Sequence, residues 1–198
     1  MTKFLLAGLL SGILGALVGC DTTAKVEHFQ STDITGASFG KDFHLTDHNG
    51  KSRSLEDFRG KVVVLFFGYT HCPDVCPATL AELATVMKQL GPESENVQVL
   101  FVTVDPQRDT PQVLAKYVPS FYPSFLGLYG DPEATSRTAK EFKIVYQKVA
   151  GSGPDDYTMD HSAGTYVFDQ KGRLRLFVSY GQGAPVFLHD VRLLLAEN

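Results

Sequence analysis

The sequence has only three cysteines and no excess of positive charge. Three cysteines in 198 residues are too few for a scaffold held together by several disulfides. With 18 Lys and Arg against 22 Asp and Glu, the formal net charge is -4, so no basic field is available to bind a phosphate backbone. No internal repeat or low-complexity tract is present either. These absences argue against nucleic acid as a partner and make any thiol chemistry local.

Long hydrophobic runs are also missing. No uncharged apolar stretch reaches the roughly 20 residues that a helix needs to cross a bilayer. The composition, 43% hydrophobic and 20% charged, is ordinary for one compact domain that buries a core. The stretch Phe4–Val18 is apolar and uncharged and follows Lys3. A positive residue before an apolar run of this length is typical of a signal peptide.

A cysteine follows the apolar run directly. Leu17-Val18-Gly19-Cys20 resembles a bacterial lipobox, in which the cysteine is lipidated and becomes the N-terminus after cleavage. We therefore expect residues 1–19 to be a lipoprotein signal peptide and Cys20 to carry the lipid. A plain cleaved signal or an uncleaved anchor is the alternative. Asp21 resembles an inner-membrane retention signal, so we expect a lipid anchor on the outer (periplasmic) face of the inner membrane, in the bacterial cell envelope.

The sequence after the predicted signal peptide divides into a tether and a domain. Residues 20–37 are polar and lack apolar periodicity, so a flexible tether is predicted. Residues 38–198 alternate strand and helix patterns, which predicts an α/β domain with a thioredoxin-like fold: a central mixed sheet flanked by helices, with an N-terminal β-hairpin extension. The predicted elements are a hairpin within Phe39–Arg59 turning at Asn49-Gly50, a strand Val62–Phe67, a helix through Leu80–Leu90, a strand Val97–Val104, a helix Pro111–Val118, an edge strand Leu126–Tyr129, a helix Pro132–Phe142, a strand Ile144–Val149, a hairpin Gly164–Tyr180 and a helix Pro185–Leu195.

Cys72 and Cys76 lie between the first buried strand and the following helix, within Gly68–Pro77 (GYTHCPDVCP). Reactive groups collect at this position in open α/β sheets. If Cys72 to Cys76 form the first turn of the helix, both side chains lie on one face, and the helix N-terminus favours thiolate over thiol. A spacing of three residues permits either metal binding or thiol-disulfide exchange. Two inert cysteines or a static disulfide would be the purely structural alternative.

A metal held by two sulfurs needs a further ligand, and six histidines are available. His71 adjoins Cys72 but is expected to point away from a site shared by both sulfurs. Four others are expected to be solvated or structural: His28, His44, His48 and His189. His161 differs, because Ala150–Gly164 is a Gly/Pro/Asp-rich connection, and loops of that length are usually functional or disordered. On spacing alone, His161 is either a ligand or an ordinary loop histidine.

Three segments, in this order, resemble the signatures of the Sco/SenC family. They are GYTHCPDVCP at Gly68–Pro77, VDPQRDT at Val104–Thr110 and DHSAGTYVFD at Asp160–Asp169. The resemblance extends from about Phe39 to the C-terminus and supports the thioredoxin-like fold. Members of that family bind copper and help to assemble the CuA centre of cytochrome c oxidase.

The resemblance implies that Cys72, Cys76 and His161 bind one copper ion, as Cu(I) or Cu(II). Thiolates with one imidazole suit both oxidation states. The implied partners are the oxidase subunit that carries the CuA site and a periplasmic copper donor protein. We expect a monomeric carrier rather than an enzyme. The alternative hypothesis is a thiol-disulfide oxidoreductase that uses the redox pair Cys72 and Cys76 to reduce the CuA cysteines.

Four acidic residues adjoin these motifs. Asp74 and Asp160 either orient the neighbouring ligands or are solvated loop carboxylates. Asp105 ends the second buried strand, and Asp109-Thr110 before Pro111 indicates a helix cap. For this second pair, the alternative is a functional edge beside the cysteine loop.

Overall fold

The structure is a computed structural model that describes residues 28–153 and 156–197. These residues form ten strands, four α-helices and two short 3-10 helices. The predictions of a signal peptide and of a lipidated Cys20 lie outside the described residues. The strands are β1 (Thr32–Asp33), β2 (Leu45–Asp47), β3 (Ser52–Arg53), β4 (Val62–Gly68), β5 (Val97–Thr103), β6 (Leu126–Tyr129), β7 (Tyr146–Ala150), β8 (Tyr157–His161), β9 (Thr165–Phe168) and β10 (Leu174–Val178). The helices are α1 (Val75–Leu90), α2 (Pro111–Phe121), α3 (Pro132–Glu141) and α4 (Gly183–Ala196), and the 3-10 helices are Leu55–Phe58 and Gly91–Asn96.

Strands β4 and β5 form the centre of an eight-stranded mixed sheet with the order β1-β10-β9-β4-β5-β6-β2-β3. Every residue of both strands is buried, as their continuous apolar runs predict for strands covered on both faces. Strand β4 is parallel to β5 and antiparallel to β9. The predicted α/β architecture is confirmed, including the N-terminal hairpin, in which β2 and β3 pair around Asn49-Gly50.

The helices cover this sheet through apolar faces. In α1 the buried side chains recur at three and four residue steps and include Leu80, Leu83 and Met87. Helix α1 packs against α4 and α2, while α2 also packs against β6. Among the described residues, no helix combines the length and the apolar character that a membrane crossing requires.

Two predictions along this sheet were wrong. Strand β6 is not an edge strand, because β2 of the hairpin pairs with its outer side. Helix α2 does not end before Pro119 but continues to Phe121. A proline in a helix removes one hydrogen bond to the carbonyl four residues earlier. Here that carbonyl belongs to the exposed Ala115, so the loss of this hydrogen bond costs little, while Phe121 packs on the core.

The connection Ala150–Gly164 is not the open loop that its composition predicts. Its second half forms β8, which pairs antiparallel with β7 from Tyr146↔His161 to Ala150↔Tyr157. The two strands form a separate two-stranded sheet. The prediction failed because the Gly/Pro/Asp-rich turn obscured a short alternating strand, in which Tyr157 and Met159 are buried.

The predicted tether extends too far along the sequence. Strand β1 pairs with β10 at the edge of the main sheet. Ahead of β1, the carboxylate of the buried Asp190 on α4 accepts hydrogen bonds from the backbone of Gln30 and from the backbone and hydroxyl of Ser31. Residues 28–37 therefore belong to the domain, since one buried carboxylate and a strand pairing hold this polar segment.

Candidate metal centre

The end of β4 provides the space in which a sulfur can sit close to the sheet. Gly68 is the last residue of β4, and a Cβ atom there would lie 2.8 Å from Sγ of Cys76 and 2.8 Å from the Phe101 ring. Any larger residue at this position would collide with both. The glycine therefore lets Cys76, which is fully buried in the first turn of α1, pack directly on the strand.

Cys72 precedes the helix rather than forming part of its first turn. Helix α1 begins at Val75, so the condition that both cysteines lie in its first turn is met by Cys76 and not by Cys72. A backbone hydrogen bond from Cys72 to the carbonyl of Tyr69, 3.3 Å long, folds the loop back. The backbone N–H of Cys76 then donates to Sγ of Cys72 at 3.4 Å. The half-buried Cys72 is thus held at the helix N-terminus by a turn.

His161 closes the third side of the site from the end of β8. Its Nε2 atom lies 3.5 Å from Sγ of Cys76, and its Nδ1 atom lies 3.0 Å from the carbonyl oxygen of Ser162. A carbonyl can only accept, so Nδ1 carries the proton and Nε2 keeps its lone pair directed at the sulfur. A metal-ligating histidine is oriented in the same way, with its other nitrogen donating to an oxygen.

Aromatic rings keep the imidazole in place. Tyr69 and Phe66 contact His161 edge-on, with ring centroids 5.9 and 6.4 Å away. These contacts limit the rotation of the imidazole and exclude water from its inner side.

Burial raises the pKa of the Cys76 thiol above its ordinary value, so the expectation that the helix N-terminus favours the thiolate is wrong for Cys76. The group is therefore a neutral thiol near pH 7, and its proton is available for donation to Nε2 of His161. Binding of a metal ion to this sulfur must displace that proton, which makes metal affinity depend on pH.

The ligand atoms of Cys72, Cys76 and His161 all lie within 4.8 Å of one another. Two sulfurs that each bind one metal at about 2.3 Å stand roughly 4 Å apart in a trigonal arrangement, so small side-chain movements suffice to coordinate one ion. Both cysteines are free thiols in this structure. Two thiols and one imidazole form a donor set that suits soft metals such as Cu(I).

Asp74 and Asp160, which adjoin the cysteines and His161 in the sequence, do not orient these three side chains. Asp74 is the N-cap residue of α1 but makes no capping hydrogen bond through its side chain, and Asp160 is exposed on β8. His71 is exposed and lies with Nδ1 3.2 Å from the Thr70 hydroxyl. Within the described ranges, the group that could hold a metal includes neither these two carboxylates nor His71.

Sequence reasoning only half anticipated the role of Asp109. The helix cap predicted at Asp109-Thr110 is confirmed: Thr110 is the N-cap of α2, and its side chain accepts from the backbone N–H of Val113, whereas Asp109 itself does not cap the helix. Asp109 is fully buried and accepts hydrogen bonds from the Thr70 hydroxyl at 2.6 Å and the Thr103 hydroxyl at 2.6 Å. Burial raises the pKa of Asp109, although these hydrogen bonds oppose the shift. The residue fastens the cysteine loop to the end of β5, which is the alternative that the sequence left open.

Asp105 performs the corresponding task for the histidine strand. Its carboxylate accepts from Nε of Arg108 at 2.5 Å and from the hydroxyl of Tyr157 at 2.9 Å. The Arg108 guanidinium also lies 3.5 Å from the centroid of the Tyr157 ring and donates to the Tyr157 carbonyl. Sequence reasoning missed Arg108 and Tyr157, and the signal for Arg108 was its place in VDPQRDT. One segment between β5 and α2 therefore positions both the cysteine loop and the strand that carries His161.

Comparison with known proteins identifies the family. Residues 31–196 match the sequence model described as SCO1/SenC. The chain belongs to the SCO1/SenC family. This confirms the resemblance carried by the three sequence motifs. The family match also begins at residue 31, ahead of the predicted domain boundary at 38 and in agreement with the structured position of β1.

Relatives of known structure share the fold over most of the chain. A structure of Bradyrhizobium japonicum ScoI with copper bound is 37% identical, with a TM-score of 0.74 over 80% of this chain and 100% of that one. Apo Sco1 from Thermus thermophilus is 42% identical, with a TM-score of 0.77 over 86% of this chain and 99% of that one. The mitochondrial SCO2 homolog of Bos taurus is 40% identical over 157 residues, and the match covers 78% of this chain but 59% of the cattle protein. The predicted thioredoxin-like fold is confirmed.

Proposed function

We propose that this protein binds one copper ion through Cys72, Cys76 and His161 and delivers it to the CuA site of cytochrome c oxidase during assembly of the oxidase. The observation that carries the proposal is the convergence of two sulfur atoms and one imidazole nitrogen within 4.8 Å. The copper-bound relative from Bradyrhizobium japonicum, which shares the fold at 37% identity, supports copper as the metal.

The donor set suits copper in both of its common oxidation states. Two thiolates and a neutral imidazole give a site charge of -1 with Cu(I) and of zero with Cu(II), so neither state buries a large net charge. Thiolate is the softest ligand that a side chain offers, which favours Cu(I) over harder ions such as Mg²⁺. Copper is the cargo of the protein, and its release is as much a part of the function as its binding.

Three protein ligands leave one side of the ion open for transfer. Cys72 is half-buried and lies at the surface end of the site, whereas Cys76 is fully buried. A cysteine or histidine of the receiving protein can approach from the side of Cys72 and take the copper in steps, without releasing the ion into water. The receiving protein in this proposal is the oxidase subunit that carries the CuA site, and a periplasmic copper protein is the donor.

The position of the protein in the cell follows from the N-terminal segment. In this proposal Cys20 carries a lipid after removal of residues 1–19, and the following polar residues connect the lipid to the domain. The anchor holds the domain at the periplasmic face of the inner membrane. Copper transfer to a membrane-bound oxidase then occurs between two proteins on the same surface, which raises their effective concentration.

Thiol-disulfide exchange with the CuA cysteines is the less favoured function. The buried thiol of Cys76 has a raised pKa, and thiolate rather than thiol is the attacking species in exchange. Exchange between two sulfurs also gives no role to His161, which the fold brings to 3.5 Å from Cys76.

Copper titration of the reduced chain tests the proposal. We expect the wild-type chain and His71→Ala to bind one Cu(I) per chain in competition with a chromophoric chelator. His161→Ala should bind at least about a hundredfold more weakly, because losing a ligand costs more than losing a group that orients one, which typically costs 10–100-fold. Stoichiometric binding that is unchanged in His161→Ala, or the absence of copper uptake by the reduced wild-type chain, contradicts the proposal.

A further inference from the structure

A groove lies beside the metal centre, on the side of β8. We call it the lateral groove: it runs between residues 104–107, helix α3 and residues 144–148, and Tyr157 and Met159 of β8 line it. Its volume is about 620 Å³. Met159 is two residues before His161, and two residues of a strand span roughly 7 Å, so the groove begins next to the imidazole ligand.

The unneutralised charge in the lateral groove is positive. Among the described residues that line it, the one acidic residue is Asp105, which is paired with Arg108 and accepts from Tyr157. Lys140 and Lys148 also line the groove, and Nζ of Lys148 lies 3.6 Å from the centroid of the Tyr157 ring. This local positive charge contrasts with the net charge of -4 for the whole chain, so the groove attracts a negatively charged group.

The lip of the groove is apolar and exposed. Three large apolar side chains are exposed within the described part of the chain; one of them, Val145, is in the groove, and a second, Val149, lies on β7 just beyond it. Val145 is 74% exposed and lines the groove. Its backbone exchanges hydrogen bonds with Ser162, the residue after His161. A partner that covers Val145 therefore lies beside the metal centre.

The groove also contains an unsatisfied polar group. Thr135 of α3 lines the groove and is 2% exposed, and its hydroxyl has no hydrogen-bond partner among the described residues. Buried hydroxyls are normally paired, so a small movement of the groove wall that exposes this one would let it bond to a backbone amide or a carboxylate of a bound peptide segment.

We propose that the lateral groove is the docking surface for the copper-receiving oxidase subunit, and that it takes an extended segment of that subunit with an apolar side chain flanked by acidic residues. This inference rests on the proposed function. The apolar side chain covers Val145, the acidic groups pair with Lys140 and Lys148, and docking brings the receiving ligands next to Cys72 and His161. The groove is continuous with the site of copper transfer. This favours the receiving subunit over a second copy of the chain, because only the receiving subunit has to contact the metal.

Charge reversal and a matched control test the groove. The full-length reduced chain is loaded with Cu(I) and titrated with the purified, metal-free CuA domain of the oxidase subunit, and both the dissociation constant and the copper transferred are measured. We expect Val145→Glu and Lys148→Glu each to raise Kd about tenfold, because like charges then face each other in the interface. Lys88→Glu, on the exposed surface at the far end of α1, makes the same charge change as Lys148→Glu and should leave Kd unchanged.

Each outcome decides between the two proposals. All four chains should bind one Cu(I), because none of the changed residues is a ligand. If Val145→Glu and Lys148→Glu bind the CuA domain as tightly as wild type, the docking surface is wrong while delivery of copper stands. If wild-type chain binds copper but neither associates with the CuA domain nor transfers copper to it, both proposals are wrong. If the wild-type chain is a dimer by sedimentation and Val145→Glu makes it monomeric, the groove holds a second copy and the docking proposal is wrong.

Discussion

The Sγ atom of Cys76 lies 3.5 Å from Nε2 of His161, although 85 positions separate the two residues in the sequence. One is held at the start of α1 by Gly68, and the other at the end of β8 by Tyr69 and by the Asp105–Arg108–Tyr157 contacts. The buried thiol and the oriented imidazole form two sides of a site that the half-buried Cys72 completes.

The two thiols should differ in reactivity. Cys76 is fully buried and burial raises its pKa, whereas Cys72 is half-buried. We expect iodoacetamide at pH 7 to modify Cys72 at least about tenfold faster than Cys76 in the metal-free reduced chain, because only exposed thiolate reacts. Peptide mass spectrometry at timed intervals measures both rates. Copper should protect both residues, and removal of copper by a chelator should restore the difference, whereas equal rates for the two metal-free thiols would contradict the geometry.

Replacing Gly68 with alanine should disturb the site directly. The added Cβ would lie 2.8 Å from Sγ of Cys76 and 2.8 Å from the Phe101 ring, so the sulfur or the strand must move. We expect the free energy of unfolding to fall by about 1–3 kcal/mol, as for other overpacked cores, and copper affinity to fall with it. The control is Gly153→Ala, whose Cβ would approach no atom of the described residues closer than 3.8 Å. Chemical denaturation and copper titration of both variants give the comparison, and a loss of the same size in both would refute the argument from space.

Arg108 should matter for stability and for copper binding together. The carboxylate of Asp105 is 4% exposed and loses its charged partner in Arg108→Ala. An unpaired buried charge costs about 3–5 kcal/mol, and the loss of the contact with Tyr157 loosens the strand that carries His161. We expect a lower free energy of unfolding and weaker copper binding by the fraction that remains folded.

The matched control for this change is Arg137→Ala on α3. Arg137 pairs with Glu133 at 2.6 Å, but both side chains are exposed, so the pair contributes less than about 1 kcal/mol. If Arg108→Ala destabilises the chain no more than Arg137→Ala does, Arg108 does not hold β8.

Asp190 should make the stability of the N-terminal segment depend on pH. Burial alone would raise its pKa, but hydrogen bonds from Gln30, Ser31 and His189 outweigh burial and lower the pKa below 3.8. The stability that Asp190 contributes is therefore present above pH 3.8 and is lost as the pH falls through the lowered pKa. Asp190→Asn should unfold more easily at pH 7 by about 1.5–3 kcal/mol, and the difference from wild type should shrink on acidification below pH 3.8.

The control for Asp190→Asn is Glu93→Gln, the same change of a carboxylate to an amide at an exposed position. Unfolding by urea at several pH values measures both variants, and limited proteolysis reports whether residues 28–37 detach. If residues 28–37 are cleaved as readily in the wild type as in Asp190→Asn, they form a tether, as the sequence alone predicts, and Asp190 does not hold them to the domain.

The sequence predicts the parts of this protein that local patterns determine. The apolar runs of β4 and β5 and the periodic leucines of α1 gave their elements within a few residues, because burial of those side chains decides the local structure. The two cysteines were found by their position after β4. The distances between the two sulfur atoms and the imidazole of His161 could not be predicted, because they depend on long-range contacts. Strand β8, which carries His161, lies within a Gly/Pro/Asp-rich segment and is positioned by Arg108 and Asp105.

The prediction of a tether in the N-terminal segment was wrong for the same reason. Residues 28–37 lack apolar periodicity, and what stabilises them is distant in the sequence: Asp190, about 160 positions away, the pairing of β1 with β10, and the core on which Phe29 and Ile34 pack. His161 likewise needed the family resemblance to be singled out as a ligand, because its spacing from the cysteines carries no local signal. A site built by two segments that are distant in the sequence is visible there as residue types, and only the fold gives their separation.

X-ray absorption spectroscopy of the reduced chain loaded with one Cu(I) tests the central claim most directly. The account predicts two sulfur ligands at about 2.3 Å and one imidazole nitrogen at about 2.0 Å, with the nitrogen signal lost in His161→Ala and kept in His71→Ala. A spectrum with sulfur ligands alone in the wild-type chain, or one that His161→Ala leaves unchanged, would contradict it.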